Sequence, residues 1–426
     1  MSSKIAYSRQ GDIAVLTAQN PPVNALSQAV RQGLLDGVER AEAEDGVKAI
    51  LIVGAGRAFF AGADITEFGK PPLEPHLPWL VGRIEASPMV VVACMHGVSL
   101  GGGLEVAMGC HYRGAQPSAR VGLPEVHLGI IPGAGGTQRL PRLTGADAAL
   151  EIATTGRHIG AAEALKLGIV DAIEEGDPTE IGVAYTEKLL AEGAVPRPIC
   201  EMHAPAAIDW SAANAAVEAR ARGQLSPGFV VEAVQASAEH SFEEGMTAER
   251  AIFRKAMDTD QRKGLIHAFF SERAVSTLPE LKGVEPRPMS QIGVIGGGTM
   301  GAGIATAALL SGFSVTILEM SPEAGEAARG RIESNLSGAL KRGKISAEQH
   351  AAIVEKALQV VTDYEALKDA DLLIEAVFEE MEIKKKVFAQ LDAVCKPGAV
   401  LASNTSYLDI NEIASVTSRP EDVIGL

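Results

Sequence analysis

Residues 292–301 constrain this chain more than any other stretch. An apolar run, Ile292 to Ile295, passes directly into Gly296-Gly297-Gly298-Thr299-Met300-Gly301, a G-x-G-x-x-G pattern. A helical pattern continues to about Leu310, and a second apolar run, Ser314 to Leu318, ends in Glu319. Gly296 allows the tight turn, Gly298 lets backbone N–H groups approach a pyrophosphate, and Gly301 lets helix and strand pack closely. An acid at the end of the second strand accepts hydrogen bonds from ribose hydroxyls and repels a 2′-phosphate. Strand, glycine turn, helix, strand and acid stand in register, so the segment reads as a dinucleotide-binding unit that prefers NAD to NADP.

A chain of 426 residues is too long for one ordinary core. Ahead of the glycine turn, Ile13–Leu16, Ala49–Val53 and Val90–Cys94 read as buried strands. Gln28–Ala43, Leu104–Cys110 and Ala161–Leu167 read as helices. Such alternation implies an α/β layered core over residues 1–190. Residues 191–285 carry an Ala- and Glu-rich helical pattern, clearest at Met246–Met257 and Gly264–Val275, and 278–289 is proline-punctuated like a linker. The third region, 286–426, is the β-α-β unit.

The formal net charge of -16 argues against nucleic acid or an anionic membrane surface as a partner. Cys94, Cys110, Cys200 and Cys395 are scattered, as expected in a reducing compartment. Residues 1–12 have no apolar core of a secretory signal. Cys94, His96, Cys110 and His111 lack metal-ligand spacing, so no metal site is expected.

Two glutamates lie beside glycine-rich backbone: Glu105 in Gly101-Gly102-Gly103-Leu104-Glu105, and Glu125 in Gly122-Leu123-Pro124-Glu125. Carboxylates flanking one pocket can polarise a water, one taking its proton while the other supplies a proton to carbon. The Gly102 N–H, at a helix start, is suited to stabilise an oxyanion, and the Ala61-Gly62-Ala63-Asp64 loop offers a second donor. Glu105 also suits a helix dipole, and Glu125 a solvated loop. Spacing alone does not choose between catalysis and these structural roles.

Ala58 to Ile65, Gly101 to Glu105, and Pro124-Glu125 with Gly133 to Leu140 resemble the enoyl-CoA hydratase (crotonase) family, as does the separation of the two glutamates. Ile374 to Glu379 and Ala402 to Ser406 resemble the NAD-binding domain of L-3-hydroxyacyl-CoA dehydrogenases. The order, with Asn20 to Ala25 near the start, is similar to the peroxisomal-type bifunctional enzymes of fatty acid β-oxidation. The resemblance implies a crotonase-like domain, a helical linker region and a Rossmann NAD-binding domain, α/β overall. It implies hydration of trans-2-enoyl-CoA thioesters, with Glu125 donating the α-proton and Glu105 activating water. Ala63 and Gly102 would supply the oxyanion N–H groups, and Gly133 would lie beside the water. A Δ3-Δ2 isomerase is the alternative main activity, and a CoA- or NAD-binding scaffold without turnover the non-enzymatic one.

For the second domain the resemblance implies NAD contacts from Gly296, Gly298, Gly301, Glu319, Glu379 and Lys384, and a place for Asn404 and Ser406 beside nicotinamide and substrate. Tyr407 stands where many relatives carry a small residue. The family's catalytic histidine follows a strand like Val423 to Leu426, where the sequence stops. The expectation is therefore NAD binding without oxidation of 3-hydroxyacyl-CoA, in a piece of a longer parent enzyme. Cytoplasmic or peroxisomal residence is expected, with acyl-CoA substrates as partners. Fused enzymes of this type tend to be monomers.

Overall fold

A computed structural model describes residues 4–275 and 278–426. Residues 276 and 277, inside the predicted helical region 191–285, lie outside it. The chain divides into two compact units, 1–280 and 281–426, so the helices after residue 190 belong to the first unit.

The first unit is built on a six-stranded sheet. Its strands are β1 (Ile5–Gln10), β2 (Ile13–Ala18), β3 (Ala49–Gly54) and β4 (Val90–Met95), with β6 (Tyr112–Ala115) and β9 (Ala172–Ile173). They lie in the order β1-β2-β3-β4-β6-β9, and all pairs are parallel except β1 with β2. A smaller sheet orders β5 (Val98–Leu100), β7 (Arg120–Gly122) and β8 (Ile159–Gly160) side by side.

Every residue of β3 and β4 is buried because both faces of the main sheet are covered. Leu16, Ile50, Ile52, Val91 and Ala93 enter one core with Val30, Leu34 and Val38 of the Gln28–Ala43 helix. Ile13, Val15, Leu51, Val53 and Val92 enter another with Val183 and Leu189 of the Pro178–Ala191 helix. Strand alternation thus feeds two apolar layers, which is why these strands read as continuous apolar runs.

The helices Ser226–Glu239 and Phe242–Met257 add Phe229, Val230, Val234 and Ala256 to the larger core. Ser241 starts the second of them with a capping box: its hydroxyl accepts the Glu244 N–H, and the Glu244 side chain accepts the Ser241 N–H.

The second unit carries β10 (Gln291–Ile295), β11 (Ser314–Leu318), β12 (Leu358–Val361), β13 (Leu372–Glu375), β14 (Val400–Ser403) and β15 (Val423–Gly425). The order β12-β11-β10-β13-β14-β15, parallel throughout, is that of a Rossmann sheet. The strand order reverses between β10 and β13, the position where such sheets open a crevice. The predicted strand Ser314–Leu318 is β11 to the residue, and the glycine-turn helix runs Thr299–Leu310.

Candidate active site

The two glutamates meet because β5 and β7 are parallel neighbours. Leu100 pairs with Gly122, and the Gly101 N–H donates to the Gly122 carbonyl at 2.9 Å. Both strands end at the same edge. One chain turns at Gly101 into the Gly102–Gly109 helix and presents Glu105 one turn later. The other passes through Pro124 into a short helix that opens with Glu125. Gly101 adopts φ +53°, ψ −127°, and a Cβ there would lie 2.8 Å from Glu125 Oε1. Only glycine suits both the backbone and the space.

The oxyanion candidates come together in the same way. The Leu100 N–H donates to the Phe60 carbonyl at 3.1 Å, laying residues 60–63 along β5. A Cβ on Gly102 would sit 3.4 Å from the Ala63 nitrogen. Among the described residues no protein acceptor pairs with the N–H of Ala63 or Gly102.

Ala63, Gly102, Glu105, Glu125 and Gly133 all line one cavity of about 650 Å³. Phe253 and Met257 wall it, and Lys70, Arg250, Arg254 and Arg273 add positive charge to its lining. This answers how a chain of net charge -16 can offer a local home to an anionic ligand.

The carboxyl groups differ in their surroundings. Glu105 is 2% exposed, and its Oε1 accepts the N–H groups of Ala134 at 2.7 Å and Gly136 at 2.8 Å. Burial raises its pKa, while those two donors and the Arg139 guanidinium oppose the rise. Glu125 has an enclosed Oε2 with no hydrogen-bond partner among the described residues. Burial, then the charges of Glu105 and Glu249, push its pKa well above the carboxylate range. The environment thus separates two like groups, Glu105 the easier to ionise and Glu125 the easier to protonate.

Reading the sequence missed a further buried acid. Glu249, 1% exposed, reaches the same loop from the Phe242–Met257 helix. Nothing in its local sequence, Ala248-Glu249-Arg250, distinguishes it from a solvated helix position.

The comparisons with known proteins agree domain by domain. Residues 8–193 match the family described as Enoyl-CoA hydratase/isomerase. Residues 291–426 match 3-hydroxyacyl-CoA dehydrogenase, NAD binding domain. Each stretch thus matches its own family, joined in that order. It is similar to the peroxisomal bifunctional enzyme of Cavia porcellus, 41% identical over 97% of this chain, and to that of Danio rerio, 42% identical over 97%. A glyoxysomal fatty acid beta-oxidation multifunctional protein of Brassica napus is 36% identical over 97%. The chain spans 58% of the length of the first two relatives and 59% of the third.

In the dehydrogenase NAD-binding domain the glycine turn is built as its sequence requires. Gly296 has φ +92°, and a Cβ on Gly301 would lie 1.8 Å from the Gly296 carbonyl oxygen. A Cβ on Gly298 would meet nothing within 4 Å, and no side chain caps the helix that follows. An exposed, uncapped helix start beside an acid-tipped strand fits a dinucleotide.

Lys384, expected to contact the cofactor, has no exposed side-chain surface. Its ammonium is held by Glu375 at 2.7 Å and Glu379 at 3.1 Å, because a buried cation must be paired. Ser403 Oγ donates to Glu375 Oε2 at 2.6 Å. Thr405 Oγ1 and the Ser406 N–H both donate to Glu379 Oε1, the latter at 3.0 Å. The Asn404 N–H donates to the Glu375 carbonyl at 2.9 Å. The segment Ser403–Ser406 is therefore pinned by a buried ion cluster, with Ser406 at the surface and Tyr407 76% exposed beside it.

Proposed function

We propose that the first unit hydrates trans-2-enoyl-CoA thioesters to 3-hydroxyacyl-CoA. The observation that carries this reading is the asymmetry of Glu105 and Glu125 in one cavity. With Oε1 engaged by two backbone donors, Glu105 keeps Oε2 to take a proton from water as its oxygen bonds to C3. Glu125, favoured in its protonated form, delivers a proton to C2 on the same face. The N–H groups of Ala63 and Gly102 hold the thioester oxygen as negative charge develops on it. Gly133 lines the cavity beside this loop. The basic side chains of the lining suit the phosphates of coenzyme A.

The second unit binds NAD, with Gly296, Gly298 and Gly301 admitting the pyrophosphate and Glu319 the adenine-side ribose. Glu379, Asn404 and Ser406 flank the crevice further along. Bound NAD would accept hydride, the chemistry needed to oxidise the hydroxyl that hydration creates. The relatives' printed names carry fatty acid β-oxidation and the peroxisome. A peroxisomal or cytoplasmic setting agrees with a chain in which no described helix is long and apolar enough to cross a membrane.

Loss of the enoyl absorbance of crotonyl-CoA tests the first unit. Glu105→Ala and Glu125→Ala are each expected to abolish hydration while leaving the fold intact. Hydration that survives both would sink the reading, and double-bond migration dependent on Glu125 alone would replace it with the isomerase.

A further inference from the structure

Four successive backbone N–H groups at one helix start are shared between two carboxylates. Ala134 and Gly136 donate to Glu105 Oε1 at 2.7 and 2.8 Å. Gly135 donates to Glu249 Oε1 at 2.7 Å, and Thr137 donates to Glu249 Oε2 at 3.1 Å. The Thr137 hydroxyl adds a third bond to Glu249, at Oε2 and 2.5 Å. The alternation follows from the turn itself, since consecutive N–H groups entering a helix point in diverging directions and no single side chain can take them all.

We infer that Glu249 is a positioning residue for the hydration site, holding residues 134–137 so that two of their N–H groups stay aimed at Glu105. The inference rests on the hydratase reading above and deepens it. Glu249 is not among the residues that line the cavity, and its hydrogen bonds go to Gly135 and Thr137, not to Glu105 or Glu125.

The loop is tightly packed where Glu249 meets it. Gly135 has φ +93°, and a Cβ there would lie 1.9 Å from Arg139 Nη1. The helix carrying Glu249 is pressed against the segment: a Cβ on Gly245, one turn earlier, would fall 2.1 Å from Gln138 Oε1. Its start is secured by the Ser241–Glu244 capping box. The helix is thus capped at its start and packed against the segment, as a positioning group requires.

Glu249 also brings a titrating carboxyl group into a crowded site. Charge couples it to Glu105 on the Gly102–Gly109 helix, to Glu125 on the short helix after β7, and to Arg250 on its own helix. Burial, then the Glu105 charge, raise the Glu249 pKa to about 8, against the pull of the Thr137 and Gly135 donors. The Glu249 charge in turn raises the pKa of Glu125. Removing it lowers that pKa, so protonated Glu125 is lost at a lower pH.

The test is steady-state crotonyl-CoA hydration by the full chain and by Glu249→Gln across pH. In the Glu249→Gln variant one oxygen remains an acceptor, but an NH2 group faces the Thr137 N–H. The expected result is a fall in kcat of roughly tenfold or more, because small misplacement of an activating group is costly. KM should stay within about threefold, since ordinary substrate binding is untouched. The alkaline limb of kcat should move to lower pH. Thr137→Val, which removes the hydroxyl's bond to Glu249 and the one it accepts from Gln138 Nε2, leaves Gln138 Nε2 its bond to the Ala233 carbonyl. It should move the limb the same way, since losing the Thr137 donor leaves Glu249 less ionised, and it keeps the question answerable if Glu249→Gln does not fold. An unchanged kcat and limb in the folded variants overturns the inference and leaves the hydratase reading standing. A fall in kcat without a shifted limb assigns Glu249 a packing role alone and overturns it too. A wild-type chain without hydration overturns both.

Discussion

The carboxylate of Glu319 accepts the backbone N–H of Gly297 at 2.6 Å. The acid at the end of β11 therefore braces the glycine turn after β10 and faces the ribose side of the proposed NAD site. Arg331 holds the other side of the same residue, donating to the Gly297 carbonyl at 3.1 Å. Loss of a hydrogen bond to a charged acceptor costs about 1.5–3 kcal/mol. Glu319→Ala is expected to weaken NAD binding by about ten- to hundredfold. It should narrow the preference over NADP, because the repulsion of a 2′-phosphate goes with it. Titration calorimetry with both dinucleotides checks this, and unchanged NAD affinity would contradict it.

Glu85 and Arg139 form an ion pair with 4% and 1% of their side chains exposed. Glu85 Oε1 also accepts the Cys200 N–H at 3.0 Å, and Arg139 Nη1 donates to the Ala134 carbonyl at 3.1 Å. Arg139→Ala would leave a buried carboxylate unpaired, at a cost of about 3–5 kcal/mol. The double variant Glu85→Gln with Arg139→Met should recover most of that stability. Urea unfolding of the three chains measures the difference, and a single variant as stable as the wild type would refute the coupling.

Gly101→Ala sets a methyl group against Glu125 Oε1 and places a side chain at φ +53°. The turn strain is of order 1–3 kcal/mol. The displaced carboxyl group should reduce hydration by about a hundredfold. Circular dichroism should report a folded chain. Wild-type turnover in this variant would show that Glu125 does not need its observed position.

The raised pKa of Glu125 links stability to pH. A carboxyl group whose folded pKa lies above its unfolded value takes up protons on folding. Its contribution is complete below about pH 4.3, the unfolded value, and is lost as pH rises through the folded one. Glu125→Gln removes that loss. The variant should gain stability relative to the wild type from about pH 5 upward, by at most about 1.4 kcal/mol per pH unit. Thermal unfolding at pH 5 and pH 8 gives the comparison. A difference that shrinks with rising pH would show that Glu125 is buried as the ionised form.

Much of this was legible along the chain. The apolar runs at 49–53 and 90–94 are β3 and β4, and Gln28–Ala43 is helical over the same residues in the structure, because local periodicity reports local burial. The glycine turn was readable because each glycine answers a nearby backbone demand. Glu249 was not. It lies far along the chain from Glu105, on a helix whose other polar residues face water, and only packing turns it inward. Lys384 was expected at the cofactor only through the resemblance; its pairing with Glu375 needs β13 and the following helix in place.

The sequence by itself determined the order of the two α/β domains, the dinucleotide turn and which glutamates to weigh, since these depend on residues close together in the chain. The tertiary structure decided what those glutamates can do. Parallel pairing of β5 with β7 brings Glu105 and Glu125 to one cavity, and the donors that meet Glu105 but not Glu125 Oε2 separate their affinities for a proton. Desolvation and charge coupling depend on distance through space, which no spacing along the chain records.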